Sequence, residues 1–192
     1  RDDVESRGLG DVYKRQSEHR ELARRIARES IVLLENRKAV LPLSDKVRSI
    51  ALVGPLADSQ ADMLGAWHAF GEAADAVTIR QGISNVAPDV KINYAHGCDV
   101  EGNDRKGFGE ALLAARQSDV VVACLGESFS MSGERRSFSR IGLPGVQQEL
   151  LKELLSTGKP VVLLLSNGRP LTLEWEKENV PTIVETVSYT HL

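Results

Sequence analysis

A charged loop between two apolar segments carries the side chains of this sequence that are best suited to chemistry. It follows the run Val120–Gly126 and holds two glutamates, three arginines and five serines before Pro144. The apolar run has the length and composition of a strand buried on both faces of a parallel sheet. Ligands bind such sheets where loops leave the carboxyl ends of the strands. From spacing alone, a functional loop and a solvated surface loop remain equally good interpretations.

Helical and strand patterns alternate around this loop and must position it. Apolar runs predict strands at 49–54, 77–79, 91–94, 119–125, 160–166 and 182–186. Helices are predicted after the N-cap candidate Ser17, at 107–117 and at 143–156, and the first carries an apolar stripe that extends to Leu33. This order predicts an α/β fold, in which a mostly parallel sheet has helices on both faces.

Composition and charge exclude several classes of function. The chain has 192 residues, 42% of them hydrophobic, which is enough for one domain with a sizeable core. Its net charge is −3, and it has no basic stretch of the kind that binds nucleic acid. No apolar run approaches the ~20 residues needed to cross a bilayer. The turn VGPLADS has one glycine where a dinucleotide-binding fingerprint needs three, and no GK[ST] follows any strand.

The cysteines and histidines predict no metal site. Cys98 and Cys124 lack the spacing of metal ligands, and the histidines form no cluster with Cys, Asp or Glu at such spacing. We interpret both cysteines as structural residues, while a disulfide between them stays open, because two cysteines define no framework.

The loop and several other segments resemble family 3 of the glycoside hydrolases, the β-glucosidases and their relatives. In the loop, the matching residues are Gly126-Glu127, Glu134, Pro144 and Gln147. Other matching segments are ARESIVLLEN, ALVGPLADS, LGAW and GKPVVLLLSNGRPLTL. The likeness extends from about residue 18 to residue 187, and it is greatest for the bacterial periplasmic β-glucosidases of the family. It implies a domain of a retaining enzyme that hydrolyses β-linked glucosides, with a periplasmic or secreted location.

The resemblance also implies roles for individual residues. Glu134, ten residues before Pro144, has the family position of the general acid/base. The nucleophile of the family is an aspartate on an N-terminal (β/α)8 barrel, which is missing from this chain. We therefore expect Glu134 to be exposed here and the chain alone to be inactive. Glu127 is the second candidate, but we interpret it as a structural anchor, bonded to loop amides or to an arginine such as Arg140.

Two further positions are expected near the same edge of the sheet. Trp67 resembles a tryptophan beside the family's active-site mouth, where an aromatic face suits a sugar ring. A tryptophan that only fixes its loop to the core is almost as good an interpretation. Arg169, after the strand at 160–166, could form a salt bridge with Glu127 or contact the barrel.

The resemblance implies a β-glucoside or oligosaccharide as substrate and requires no cofactor or metal. A carbohydrate-binding or interaction module without chemistry of its own is the alternative function. The predicted domain comprises residues 17–187 and is incomplete at its C-terminus. Residues 1–16 have no counterpart in the family, and residues 188–192 interrupt its pattern. We interpret both segments as translated adapter or vector sequence, with a divergent linker at each end as the alternative.

Overall fold

The computed structural model describes residues 17–66, 68 and 70–187, which form one six-stranded sheet with helices packed on it. The strands are β1 (Val32–Asn36), β2 (Ser49–Val53), β3 (Lys91–Ala95), β4 (Val120–Gly126), β5 (Val161–Asn167) and β6 (Thr182–Val187). Their order in the sheet is β1-β6-β5-β4-β2-β3. All neighbours are parallel except β1, which runs antiparallel to β6. The predicted α/β fold with a mostly parallel sheet is confirmed.

Helices cover both faces of the sheet. The helices of the described chain are α1 (Ser17–Ser30), α2 (Gln60–Leu64), α3 (Ile79–Val86), α4 (Phe108–Arg116), α5 (Gln147–Ser156) and α6 (Glu174–Asn179), and no residue of α1 belongs to the core on either face. Short 3-10 turns lie at Ala73–Asp75 and Phe129–Met131. Buried side chains of α4 and α5 pack on one face, while α3 and the segment 40–47 pack on the other.

Strand β4 shows how the sequence produces this double-sided core. All seven of its residues are buried, and alternate side chains point to opposite faces because strands have a period of two. Val121, Ala123 and Leu125 belong to the cluster that contains α4 and α5. Cys124 belongs to the opposite cluster, whereas Cys98 lies with α4 and α5. Both cysteines are free thiols, so the disulfide left open by the sequence is absent, and burial raises the pKa of Cys98 to about 11.

Three local predictions were wrong. The helix predicted at 143–156 begins only at Gln147, after a turn at Gly145-Val146. The segment 77–79 is no strand, because Thr78 caps α3 through a reciprocal capping box with Gln81. The apolar stripe of the first helix does not reach Leu33, because α1 ends at Ser30 and Leu33 lies in β1. The error at 77–79 arises from the β-branched residues around Thr78. The error at Leu33 arises because the apolar residues of β1 follow the first helix almost directly.

The proposed non-native segments, 1–16 and 188–192, lie outside the described residues. Within the described ranges, no helix combines the length and apolarity required to traverse a bilayer.

Candidate functional site

Strands β4 and β5 end side by side at the carboxyl edge of the sheet, and the close approach of their backbones fixes the start of the charged loop. Gly126 pairs with Ser166 and has φ +139°, a conformation that favours glycine. A Cβ atom on Gly126 would lie 1.9 Å from the Ser166 carbonyl oxygen. The next amide, that of Glu127, donates to this same oxygen at 2.8 Å. Only glycine therefore fits at the end of β4.

Glu127 is buried beside this strand end and is paired with an arginine. Its side chain is 1% exposed, and its Oε1 accepts a hydrogen bond from Nε of Arg169 at 2.7 Å. Nη2 of Arg169 contacts the same oxygen. The Arg169 guanidinium also stacks on Phe138, 4.1 Å from the ring centroid. The salt bridge between Arg169 and Glu127 is confirmed, so the arginine partner is Arg169 and not the exposed Arg140.

Gln147, the first residue of α5, connects the two ends of the loop. It is fully buried, and its Oε1 accepts from the Gly126 amide at 2.8 Å. Its Nε2 donates to the Gly126 carbonyl at 2.8 Å and to the Val100 carbonyl at 2.9 Å. Loop 127–146 therefore begins and ends at one satisfied hydrogen-bond cluster. The sequence showed Gln147 as part of the family pattern, but no spacing rule indicated this role.

Glu134 lies on the outer part of the loop, where the side chains point to solvent. Met131 is 2% exposed and holds the inner part of the loop in the core. Residues 133–140 are all exposed, and Arg135 has φ +60°. Glu134 contributes to an open depression of about 230 Å³, together with Ala66, Phe129, Ser130, Ser132, Gly133 and Arg136. The expectation that Glu134 is exposed in this chain is confirmed.

Trp67 lies outside the described residues, so its position beside Glu134 stays a prediction. The residue before it, Ala66, lines the depression that Glu134 also lines. The two loops are joined by a hydrogen bond that sequence reasoning missed. The Phe129 amide donates to Oδ1 of Asp62 at 2.7 Å, across 67 positions of the sequence.

The described part of the chain holds no group of three or more His, Cys, Asp or Glu side chains that could bind a metal ion. The residues that line the depression carry a carboxyl, a guanidinium, two hydroxyls and an aromatic ring. A carboxyl in such an open position can give a proton to, or take one from, a bound molecule.

Known proteins of similar sequence and structure are glycoside hydrolases. The periplasmic β-glucosidase of Salmonella typhimurium is 45% identical over 191 residues, covering 88% of this chain and 25% of that protein. A β-xylosidase of Formosa agariphila is 40% identical over 175 residues, covering 88% of this chain and 24% of that protein. The crystal structure of a β-glucosidase from Listeria innocua in complex with isofagomine has a TM-score of 0.82 and 36% identity, over 91% of this chain and 24% of that one.

The chain thus spans about a quarter of the length of these relatives. Residues 31–190 match the glycosyl hydrolase family 3 C-terminal domain, so the match includes all six strands of the sheet. The resemblance seen in the charged loop therefore extends through the fold, and the chain belongs to family 3 of the glycoside hydrolases.

Proposed function

We propose that this chain is the part of a retaining β-glucosidase that supplies the general acid/base, Glu134, while an N-terminal barrel of the complete protein supplies the nucleophile. The observation that carries the proposal is the placement of Glu134. It is an exposed carboxyl in an open depression, on a loop whose two ends are fixed in the core. The names of the Salmonella and Listeria relatives support glucosides as the substrate class.

The reaction needs two carboxyl groups about 5–5.5 Å apart, so the barrel must bring its aspartate close to Glu134. In the first step, the aspartate attacks the anomeric carbon, and Glu134 gives its proton to the departing glycosidic oxygen. In the second step, Glu134 takes a proton from water, and the resulting hydroxide displaces the aspartate with net retention. No metal or cofactor takes part in this scheme.

Glu127 is the poorer candidate because its carboxylate is already engaged. It is almost fully buried, and a guanidinium donates to it from the turn after β5. A general acid must reach the leaving oxygen within hydrogen-bond distance, and a carboxyl that is 1% exposed at the base of the loop is covered from any bound molecule. We propose that Glu127 anchors the loop and that Trp67 contacts the sugar or its aglycone beside Glu134.

The name of the Salmonella relative also supports a periplasmic or secreted location for the complete protein, and we propose the same here. The alternative function is carbohydrate binding without chemistry. That alternative predicts a complete protein that binds glucosides and leaves them intact.

The test is leaving-group dependence and azide rescue in the full-length protein. Glu134→Ala should lower turnover of a substrate with a poor leaving group by about 10²–10⁴-fold, the usual contribution of general acid–base catalysis. An activated aryl leaving group needs little protonation, so its departure should be affected far less. Azide should then restore turnover and yield the β-glycosyl azide, because it attacks the glycosyl-enzyme without a general base.

Glu127→Ala is the matched control. It should reduce stability or order in the loop, and azide should not rescue it. If azide rescues Glu127→Ala and not Glu134→Ala, the wrong glutamate has been assigned. The 192-residue chain alone should show no hydrolysis of an aryl β-glucoside, because it lacks both the nucleophile and the positioning that the barrel provides.

A further inference from the structure

Asp62 is the side chain that connects the segment carrying Trp67 with the loop carrying Glu134. It lies in the first turn of α2, and its carboxylate bonds in two directions. Oδ2 accepts from the Ser59 hydroxyl at 2.5 Å, and Oδ1 accepts from the Phe129 amide at 2.7 Å. The Ser59 hydroxyl in turn caps α2 by accepting from the Asp62 amide at 3.3 Å. Both carboxylate oxygens are thus held in a defined direction.

The hydrogen bond from the Phe129 amide to Asp62 lies at the point where the outer half of the loop leaves the core. Phe129 opens the 3-10 turn Phe129–Met131, whose last residue is buried in the core. Glu134 lies three positions after Met131, and Phe129 and Ser130 of the turn line the same depression as Glu134. Charge-assisted hydrogen bonds from a backbone amide to a carboxylate are short and strong. The Asp62 carboxylate is therefore placed to determine where the outer half of the loop leaves the core.

We propose that Asp62 is a positioning residue for the general acid/base. It does not contact the reacting atoms. It fixes the position of the 3-10 turn that precedes Glu134 relative to the segment that leads to Trp67. This inference rests on the proposed function of Glu134 and extends it, because it names the residue that couples the proton donor to the neighbouring segment. Small displacements of a catalytic group cost large factors in rate, so a residue that holds the donor affects the step that needs the proton.

The test compares two substrates of the full-length enzyme that differ only in the leaving group. Asp62→Ala should lower kcat/KM about 10- to 100-fold for a poor leaving group, the effect of losing one hydrogen bond to a charged group. For an activated aryl leaving group, the loss in the glycosylation step should stay below about 3-fold, because that step needs little proton transfer. Asp62→Asn retains an oxygen that can accept from the Phe129 amide, and it should recover most of the loss.

Asp58→Ala is the matched control, because Asp58 anchors the same segment in another direction. Its carboxylate accepts from Thr78 Oγ1 at 2.8 Å and from Arg80 Nη1 at 3.0 Å, on the side of α3. Its removal should leave the ratio between the two substrates unchanged. If Asp58→Ala shifts that ratio as much as Asp62→Ala, the effect is a general loosening of the segment, and the inference is overturned.

A double substitution separates this inference from the proposed function. In the Glu134→Ala background, Asp62→Ala should cause no further change in the ratio, because the group that it positions is gone. If Glu134→Ala shifts the ratio and Asp62→Ala does not, only the role of Asp62 is refuted. If Glu134→Ala itself shifts nothing, both are refuted. Should Asp62→Ala fail to fold, Asp62→Glu is the substitute, because it displaces the acceptor by one methylene. It must lower kcat/KM more for the poor leaving group than for the activated one, by a smaller factor than is expected for Asp62→Ala.

Discussion

One loop of this protein contains two glutamates in opposite surroundings, seven positions apart. Glu127, at the base, is 1% exposed and paired with Arg169, while Glu134, at the tip, is exposed to solvent. The base has three fixed points: the glycine at the end of β4, the salt bridge, and the hydrogen bonds of Gln147. The tip has an arginine, Arg135, in the left-handed region and no buried residue between positions 133 and 140.

The difference shows how a loop can be well positioned and still present an open carboxyl. Buried charges and backbone contacts at the base define where the loop leaves the sheet. Side chains that are held by such rigid elements are positioned more precisely than those of a free loop. The exposed side chains of the tip are accessible to a second surface. If this account is right, substitutions at the base should cost stability, and substitutions at the tip should cost only activity.

The largest effect on stability is expected at the first fixed point of the base. Gly126→Ala would place a Cβ atom 1.9 Å from a backbone oxygen that cannot move without separating β4 from β5. We expect the chain not to fold, as measured by circular dichroism and urea titration. Gly158→Ala is the control, because Gly158 has φ +74° and nothing lies within 4 Å of the added carbon. It should cost only about 1–2 kcal/mol of left-handed strain, and a folded Gly126→Ala chain would contradict the account of the strand end.

The next largest effect is expected for the salt bridge. Arg169→Ala leaves the buried Glu127 carboxylate without its cation, which should lower the free energy of unfolding by about 3–5 kcal/mol. Adding Glu127→Gln to this variant should restore part of the loss, because the buried charge is then removed. Arg136→Ala at the exposed tip is the control and should stay within about 0.5 kcal/mol of the parent. Equal losses for Arg136→Ala and Arg169→Ala would abolish the distinction between base and tip.

A smaller loss is expected when the two ends of the loop are disconnected. Gln147→Ala removes three hydrogen bonds and leaves the amide and carbonyl of Gly126 without this partner. At about 1 kcal/mol for each bond, the free energy of unfolding should fall by about 2–3 kcal/mol. Gln117→Ala, at an exposed position after α4, is the comparison and should change little. Hydrogen exchange should also show faster exchange of the Gly126 amide, and unchanged protection there would contradict the role of Gln147.

Most of the sheet could be predicted from the sequence, because its central strands are buried on both faces. The runs that became β4 and β5 are almost wholly apolar, and the turn residues around them mark their ends. The edge strand β1 could not be predicted in this way. Its residues Val32, Leu33 and Leu34 are 45–52% exposed, and its antiparallel pairing with β6 joins the first and last strands of the sheet in chain order.

The candidate site could be predicted only in part, for a physical reason. Glu134 was identified by resemblance, because nothing in its own spacing distinguishes it from a solvated surface glutamate. The bonds of Asp62 to Phe129 and of Gln147 to Gly126 join side chains to backbone groups that are 67 and 21 positions away. Such contacts produce no periodic pattern of residue types in the sequence. By contrast, the capping box formed by Thr78 and Gln81 is a local signal, and this pattern predicts the start of α3 in spite of the β-branched residues around it.

The smallest effect on stability is expected at the tip, and it provides the sharpest test of the comparison. Glu134→Gln removes one charge from an exposed side chain without changing its size, so the free energy of unfolding of the 192-residue chain should change by less than about 0.5 kcal/mol. The same substitution at Glu127 converts a buried, arginine-bound carboxylate into an amide and should cost several times more. Urea titrations of both variants under one buffer condition give the two values directly. If Glu134→Gln destabilised the chain as much as Glu127→Gln, the tip would be part of the folded framework, and a catalytic role for its carboxyl would lose its structural support.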